Sequence, residues 1–216
     1  MPLLQRSTIP NAITIARITL APIVGVLLFV PTFSARFLAW LLFLIAAFSD
    51  LWDGHLARKH GWTSDFGKLL DPIADKLLLA TTFIPFYLLS HERDDPYGQL
   101  VVVGALPVWI LVVIFGRELL ITAIRSLAAR RGIIIPAGRS GKLKAVFQNI
   151  FIGTAIAWLA INATALRAGW VGGENWKYWT YFHGAVFVTS LAIAIFLTVY
   201  SFGVYLWQWR AFLRQL

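Results

Sequence analysis

Six stretches of this chain are apolar for about the length needed to cross a lipid bilayer, and that pattern leaves few folds open. A spanning helix needs about 20 predominantly apolar residues, and such segments are read at 11–30, 36–57, 68–90, 99–125, 142–166 and 181–207. The expectation is an all-α polytopic membrane protein with six transmembrane helices. No internal repeat, linker or low-complexity tract divides it, so residues 1–216 are read as a single domain. Composition agrees, with 59% apolar residues against 13% charged ones, well beyond a soluble domain. Arg17 lies inside the first stretch and no convincing small-x-small cleavage site follows, so that stretch is expected to be retained as a span.

The net charge of +9 would suggest nucleic acid in a soluble chain. Here anionic lipid or a phosphate-bearing substrate is the better fit, and no nucleic-acid partner is expected. Basic residues also set the orientation. Arg6, Arg58, Lys59, Lys68, Arg125, Arg130, Arg131, Arg139, Lys142, Lys144, Arg210 and Arg214 lie at one set of span ends, and Arg36, Arg93, Arg167 and Lys177 at the other. Both termini are therefore expected in the cytosol. Trp40, Trp170, Trp176, Trp179, Trp207 and Trp209 fall near span ends and read as interfacial indoles. The absence of cysteine excludes thiolate catalysis, disulfides and Cys-ligated metals.

Three apolar runs stop short at the cytosolic end. The second is uninterrupted only from Phe37 to Phe48 before Ser49 and Asp50; the third begins at Leu77, after Asp71, Asp75 and Lys76; the fourth reaches Gly116, Arg117 and Glu118. Twelve residues cover only about 20 Å of a hydrocarbon slab about 30 Å thick, so the charged segments must sit below the inner interface, in a cavity. Asp50 and Asp53 are three residues apart and Asp71 and Asp75 four, which places each pair on one helical face. A short connection, 59–66, makes the second and third spans a hairpin that brings the four carboxylates to two matched depths. An intramembrane Asp costs about 2.5–3.5 kcal/mol, so cations must accompany the group. Hard oxygen donors suit Mg²⁺, Mn²⁺ or Ca²⁺ rather than zinc, and four carboxylates could hold two ions for phosphoryl transfer. The alternative is neutralisation by Arg58, Lys68 and Lys76, with Asp71 capping a helix before Pro72.

Read continuously, Asp50-x2-Asp53-Gly54-x2-Ala57-Arg58-x8-Gly67-x3-Asp71-x3-Asp75 resembles the signature of the CDP-alcohol phosphatidyltransferases, with all eight defined positions filled in a 26-residue window. Pro10-Asn11-Ala12-Ile13-Thr14-Ile15-Ala16-Arg17, Arg117-Glu118 with Ala123-x-Arg125, and Gly141-Lys142-Leu143-Lys144 resemble the bacterial branch that uses glycerol 3-phosphate; the likeness runs over about residues 8–155. The resemblance implies a six-helix enzyme of the bacterial inner membrane, commonly a homodimer, whose polar metal-binding cavity opens to the cytosol. It would pass the phosphatidyl group of CDP-diacylglycerol to an alcohol and release CMP, using Mg²⁺ or Mn²⁺, two ions in all. It further implies Asp50, Asp53 and Asp71 as metal ligands and Asp75 as a fourth ligand and proton acceptor. Asn11, Thr14, Gly54, Arg58, Ser64 and Gly67 would contact CDP-diacylglycerol. An attacking alcohol must lose its proton, a task a carboxylate can perform; Asp75 could instead be a ligand alone.

The motif is silent on the acceptor, but Arg117, Arg125, Arg139, Lys142 and Lys144 surround one loop. A neutral acceptor would not need that charge, whereas glycerol 3-phosphate brings a dianion that guanidinium and ammonium groups hold. Arg117 is the leading candidate, and Glu118 is expected to pair with a basic neighbour, Arg17 or Arg125. Lys142 and Lys144 could alternatively meet lipid headgroups, and Arg125, Arg130, Arg131 and Arg139 could be ordinary positive-inside residues. Gln148 and Asn149 read as interhelical hydrogen-bond donors. Two rivals stand beside this reading: another phosphoalcohol, inositol phosphate or phosphatidylglycerol as acceptor, and a divalent-cation transporter built on the Asp group.

Overall fold

The structure, a computed structural model, describes residues 8–60, 65–92, 104–133 and 139–210, with side chains described except at 8–10, 50–60, 65–69, 139–140 and 142. Every regular element among these residues is helical. They are α1 (Thr8–Leu28), α2 (Phe33–His60), α3 (Asp65–His91), α4 (Val108–Arg130), α5 (Arg139–Arg167) and α6 (Glu174–Gln208). Four carry an apolar stretch long enough to cross a membrane: Asn11–Leu28, Leu70–His91, Leu143–Arg167 and Glu174–Gln208. The chain is thus an all-helical polytopic membrane protein. α2 is apolar only over Phe33–Ser49 yet stays helical through Asp50 and Asp53 to His60, while α3 starts at Asp65 and carries Pro72 inside it. Asp71 therefore lies within a helix rather than capping one.

The helix ends are set by local chemistry. Thr32 caps α2, its Oγ1 accepting the Ala35 N–H at 3.4 Å. α4 and α5 each close with a glycine in the left-handed region, Gly132 at φ 76° and Gly169 at φ 69°. The next N–H turns back to the helix, from Ile133 to the Ala128 carbonyl and from Trp170 to the Ala165 carbonyl, both at 2.9 Å. That pairing satisfies carbonyls a helix end leaves open, and the conformation it needs costs glycine little.

The chain forms two compact units, residues 1–99 with 152–179 and residues 100–151 with 180–216, so α5 and α6 contribute to both. In the first, α1 packs on α2 and α3. α1 and α3 run parallel at a nearly constant offset, since Thr14 meets Asp71, Arg17 meets Asp75 and Gly25 meets Thr81. At the last of these contacts a Cβ on Gly25 would lie 2.8 Å from the Thr81 carbonyl oxygen. Pro85 removes the N–H that would normally bond that carbonyl, and the small residue lets the two backbones close over it. Between α2 and α5, the Trp40 indole donates to the Gly153 carbonyl at 3.0 Å and Phe43 packs over the same glycine. Trp40 thus joins two helices, besides any interfacial role.

Arg36, expected among the outer surface charges, is completely buried. Its Nε donates to the carbonyl of Leu28, the last residue of α1, at 3.3 Å, and its Nη1 to that of Leu159 at 3.5 Å. A guanidinium suits a helix C-terminus, where open carbonyls carry partial negative charge.

The second unit is built from α4, the start of α5 and most of α6. Phe151 and Phe187 pack with ring centroids 4.7 Å apart. Ile121, Ala128 and Tyr205 form a buried cluster covered by Ile124, Phe202 and Trp209.

Candidate functional site

In the first unit, α1 offers a buried polar foot on which two carboxylates of α3 stand. Thr14 and Arg17, one turn apart, are 2% and 1% exposed. Thr14 Oγ1 donates to Asp71 Oδ1 at 2.8 Å and Arg17 Nη1 to Asp75 Oδ1 at 3.0 Å. Asp71 is exposed and the Asp75 side chain is 56% exposed. Each acid thus has one oxygen held from the dry side while the group faces outward. Arg17, which lies within the apolar first span, is an ion-pair partner of Asp75; the side chains of Arg58 and Lys68 lie outside the described residues. Nothing in the residue spacing of α3 points to Arg17; the signal was a charge inside an apolar first span.

Asn11 lies on α1, half-buried. Asp50, Asp53, Gly54 and Arg58 lie on α2, and Gly67 on α3, but their side-chain surroundings, like Ser64 altogether, are outside the described residues. Among the described residues no three His, Cys, Asp or Glu side chains come together to hold a metal. Asp71 and Asp75 are the described half of the expected group. They fit a hard cation: both offer carboxylate oxygen, both face outward, and both have the outer hydrogen bond that orients a metal-binding carboxylate.

The second unit gathers charges from two helices, α4 and α5, and a hydroxyl from a third, α6. Glu118 Oε1 accepts from Arg117 Nη1 at 3.0 Å and also pairs with the Lys144 ammonium. This replaces the pairing with Arg17 or Arg125 expected above. Adjacent helical residues point about 100° apart, so Arg117 and Glu118 meet only by folding their side chains toward a common centre, and Lys144 from α5 completes it. Arg117 Nη2 donates to Ser201 Oγ on α6 at 3.3 Å, and a Cβ on Gly141 would stand 3.6 Å from the same nitrogen. The Arg117 side chain is 14% exposed and its Nε has no hydrogen-bond partner among the described residues. Arg125, about two turns further along α4, has its guanidinium 5.8 Å from the centre of the Tyr205 ring. The side chains of Arg139 and Lys142 lie outside the described residues.

Gln148, expected as an interhelical donor, is 4% exposed, and its Nε2 has no partner among the described residues. Gly141, Lys144 and Gln148 follow one another at i, i+3 and i+7 and so share one face of α5.

Residues 7–211 match the family of CDP-alcohol phosphatidyltransferases, a match that continues past residue 155 through the last helix. Similar curated proteins include a "probable phosphatidylglycerophosphate synthase" of Mycobacterium tuberculosis, 36% identical over 68% of this chain. Two more are named "CDP-diacylglycerol--glycerol-3-phosphate 3-phosphatidyltransferase". That of Bacillus subtilis is 33% identical over 78% of this chain and 95% of its own length; that of Haemophilus influenzae is 29% identical over 94% and 93%. The chain spans 65% of the length of the mycobacterial relative.

Proposed function

The chain belongs to the CDP-alcohol phosphatidyltransferase family, and on that premise we propose that it transfers the phosphatidyl group of CDP-diacylglycerol to glycerol 3-phosphate, giving phosphatidylglycerophosphate and CMP. The observation that carries the choice of acceptor is the convergence of Arg117 and Lys144 on Glu118, with the Arg117 Nε–H lacking an acceptor among the described residues. A buried donor left unpaired costs about 1–3 kcal/mol, and a phosphate dianion offers the oxygens to satisfy it. A serine-like neutral acceptor would leave both cations without that partner. The relatives' printed names support the same acceptor.

In this proposal the phosphate of the acceptor is bound by Arg117 and Lys144, with Arg125, Arg139 and Lys142 adding positive charge. Glu118 holds the two leading cations in place while no phosphate is present. Asn11, Thr14, Gly54, Arg58, Ser64 and Gly67 bind CDP-diacylglycerol. Asp50, Asp53, Asp71 and Asp75 would hold Mg²⁺ or Mn²⁺, two ions in all, which when bound neutralise the negative charge gathering on the departing CMP. Thr14 and Arg17 fix the orientation of Asp71 and Asp75. The acceptor hydroxyl forms its bond to the lipid-side phosphorus as the bond from that phosphorus to the CMP oxygen breaks, and Asp75 receives the hydroxyl proton. The enzyme would act as a homodimer in a bacterial inner membrane among lipids, with both termini and the Asp group on the cytosolic side.

Purified protein supplied with CDP-diacylglycerol, glycerol 3-phosphate and Mg²⁺ or Mn²⁺ should release CMP and form phosphatidylglycerophosphate. Asp71→Asn should abolish that release. No CMP from the parent protein, or release unaffected by the substitution, would defeat the proposal.

A further inference from the structure

Gln148 has no part in the chemistry described so far, yet its placement is costly for a residue without a task. Its amide nitrogen is enclosed, lacks an acceptor among the described residues, and sits on the same face of α5 as the Lys144 ammonium that meets Glu118. An enclosed amide donor without a partner is unfavourable and is normally explained by an absent ligand or water. Gly141 comes first on this face, beside the Arg117 guanidinium. Lys144 comes next, and Gln148 stands one turn further, about 6 Å along the axis. The face therefore passes from the cations proposed above to hold the phosphate to a neutral amide, over the length of a short phosphoalcohol.

Resting on the reading of glycerol 3-phosphate as acceptor, we infer that Gln148 selects the acceptor by hydrogen-bonding its non-reacting hydroxyl. Chemistry distinguishes the two hydroxyls. A donor on the attacking oxygen would draw electron density from the nucleophile, whereas a donor on the secondary hydroxyl leaves the nucleophile undiminished. A carboxamide both donates and accepts, which matches a hydroxyl, and being neutral it adds no charge beside the bound phosphate. Rejection of an analogue lacking a hydroxyl follows when the residue built to meet it is left buried and unpaired.

The test compares glycerol 3-phosphate with 3-hydroxypropyl phosphate, which keeps the phosphate and a terminal hydroxyl but lacks the middle one, as acceptors for the full-length protein and for Gln148→Met. The parent should prefer glycerol 3-phosphate in kcat/KM by about 3- to 10-fold, the worth of one neutral hydrogen bond, and Gln148→Met should bring the ratio close to one. Because the amide nitrogen has no partner among the described residues to lose, the melting temperature of Gln148→Met should be unchanged or higher. Equal losses on both acceptors with the preference retained, or a fall in melting temperature, would overturn the inference while leaving the proposed reaction standing. Failure of the parent to use glycerol 3-phosphate at all would defeat that reaction, and this inference with it.

Discussion

Gly25→Ala is the substitution for which the structure yields the most explicit expectation. The added methyl carbon would stand 2.8 Å from the Thr81 carbonyl oxygen and 3.3 Å from the Thr81 Cβ. Ordinary contact begins near 3.4 Å, and the obstacle is backbone, so no rotamer change relieves it; the helices must separate by about 0.6 Å. α1 is one rigid helix carrying Gly25, Arg17 and Thr14, and a parallel shift of that size would stretch Thr14–Asp71 to about 3.4 Å and Arg17–Asp75 to about 3.6 Å, the limit at which hydrogen bonding ends. Overpacking of this kind costs about 1–3 kcal/mol. An ångström of misplacement at a reacting group costs about 100-fold in rate, so kcat should fall about 10-fold or more. Gly203→Ala is the control: α6 holds Gly203 with nothing described within 4 Å of its added carbon, and alanine there should stabilise the helix by about 0.5–1 kcal/mol. Thermal unfolding in detergent, followed by tryptophan emission, and CMP release under saturating substrates measure the two effects. Wild-type stability and turnover in Gly25→Ala would refute the close contact; lost stability with normal turnover would refute its transmission to the two carboxylates.

The remaining predictions concern the two charged centres. Arg17→Gln should lower kcat by about 10- to 100-fold, the worth of a charge-assisted hydrogen bond, with KM for glycerol 3-phosphate unchanged and partial recovery in Arg17→Lys; steady-state kinetics decide it, and an unaltered kcat would remove Arg17 from its positioning role. Glu118→Gln leaves Arg117 and Lys144 facing each other without their shared anion. Removing the shared anion of such a partly buried group is destabilising, so the variant should melt earlier, and inorganic phosphate should raise its melting temperature more than that of the parent. Equal phosphate shifts in both would argue against an anion site at this pair.

Much of this architecture is local and therefore readable along the chain. Apolar length marks the spans, and spacings of three and four put Asp50 with Asp53 and Asp71 with Asp75 on shared helical faces. The readable pattern ends where helices meet. Glu118 was expected to pair with Arg17 or Arg125, and charge alone made those partners as reasonable as Lys144. Arg36 was counted with the outer surface charges, since composition cannot show that a guanidinium closes the end of its neighbouring helix. The Arg17–Asp75, Thr14–Asp71 and Gly25–Thr81 contacts, and that of Glu118 with Lys144, each depend on the rotation and axial register of two helices. Sequence periodicity says which residues share a face. Which face meets which neighbour is settled by packing, where one missing side chain at Gly25 lets α1 and α3 close and seats each carboxylate of α3 on its donor.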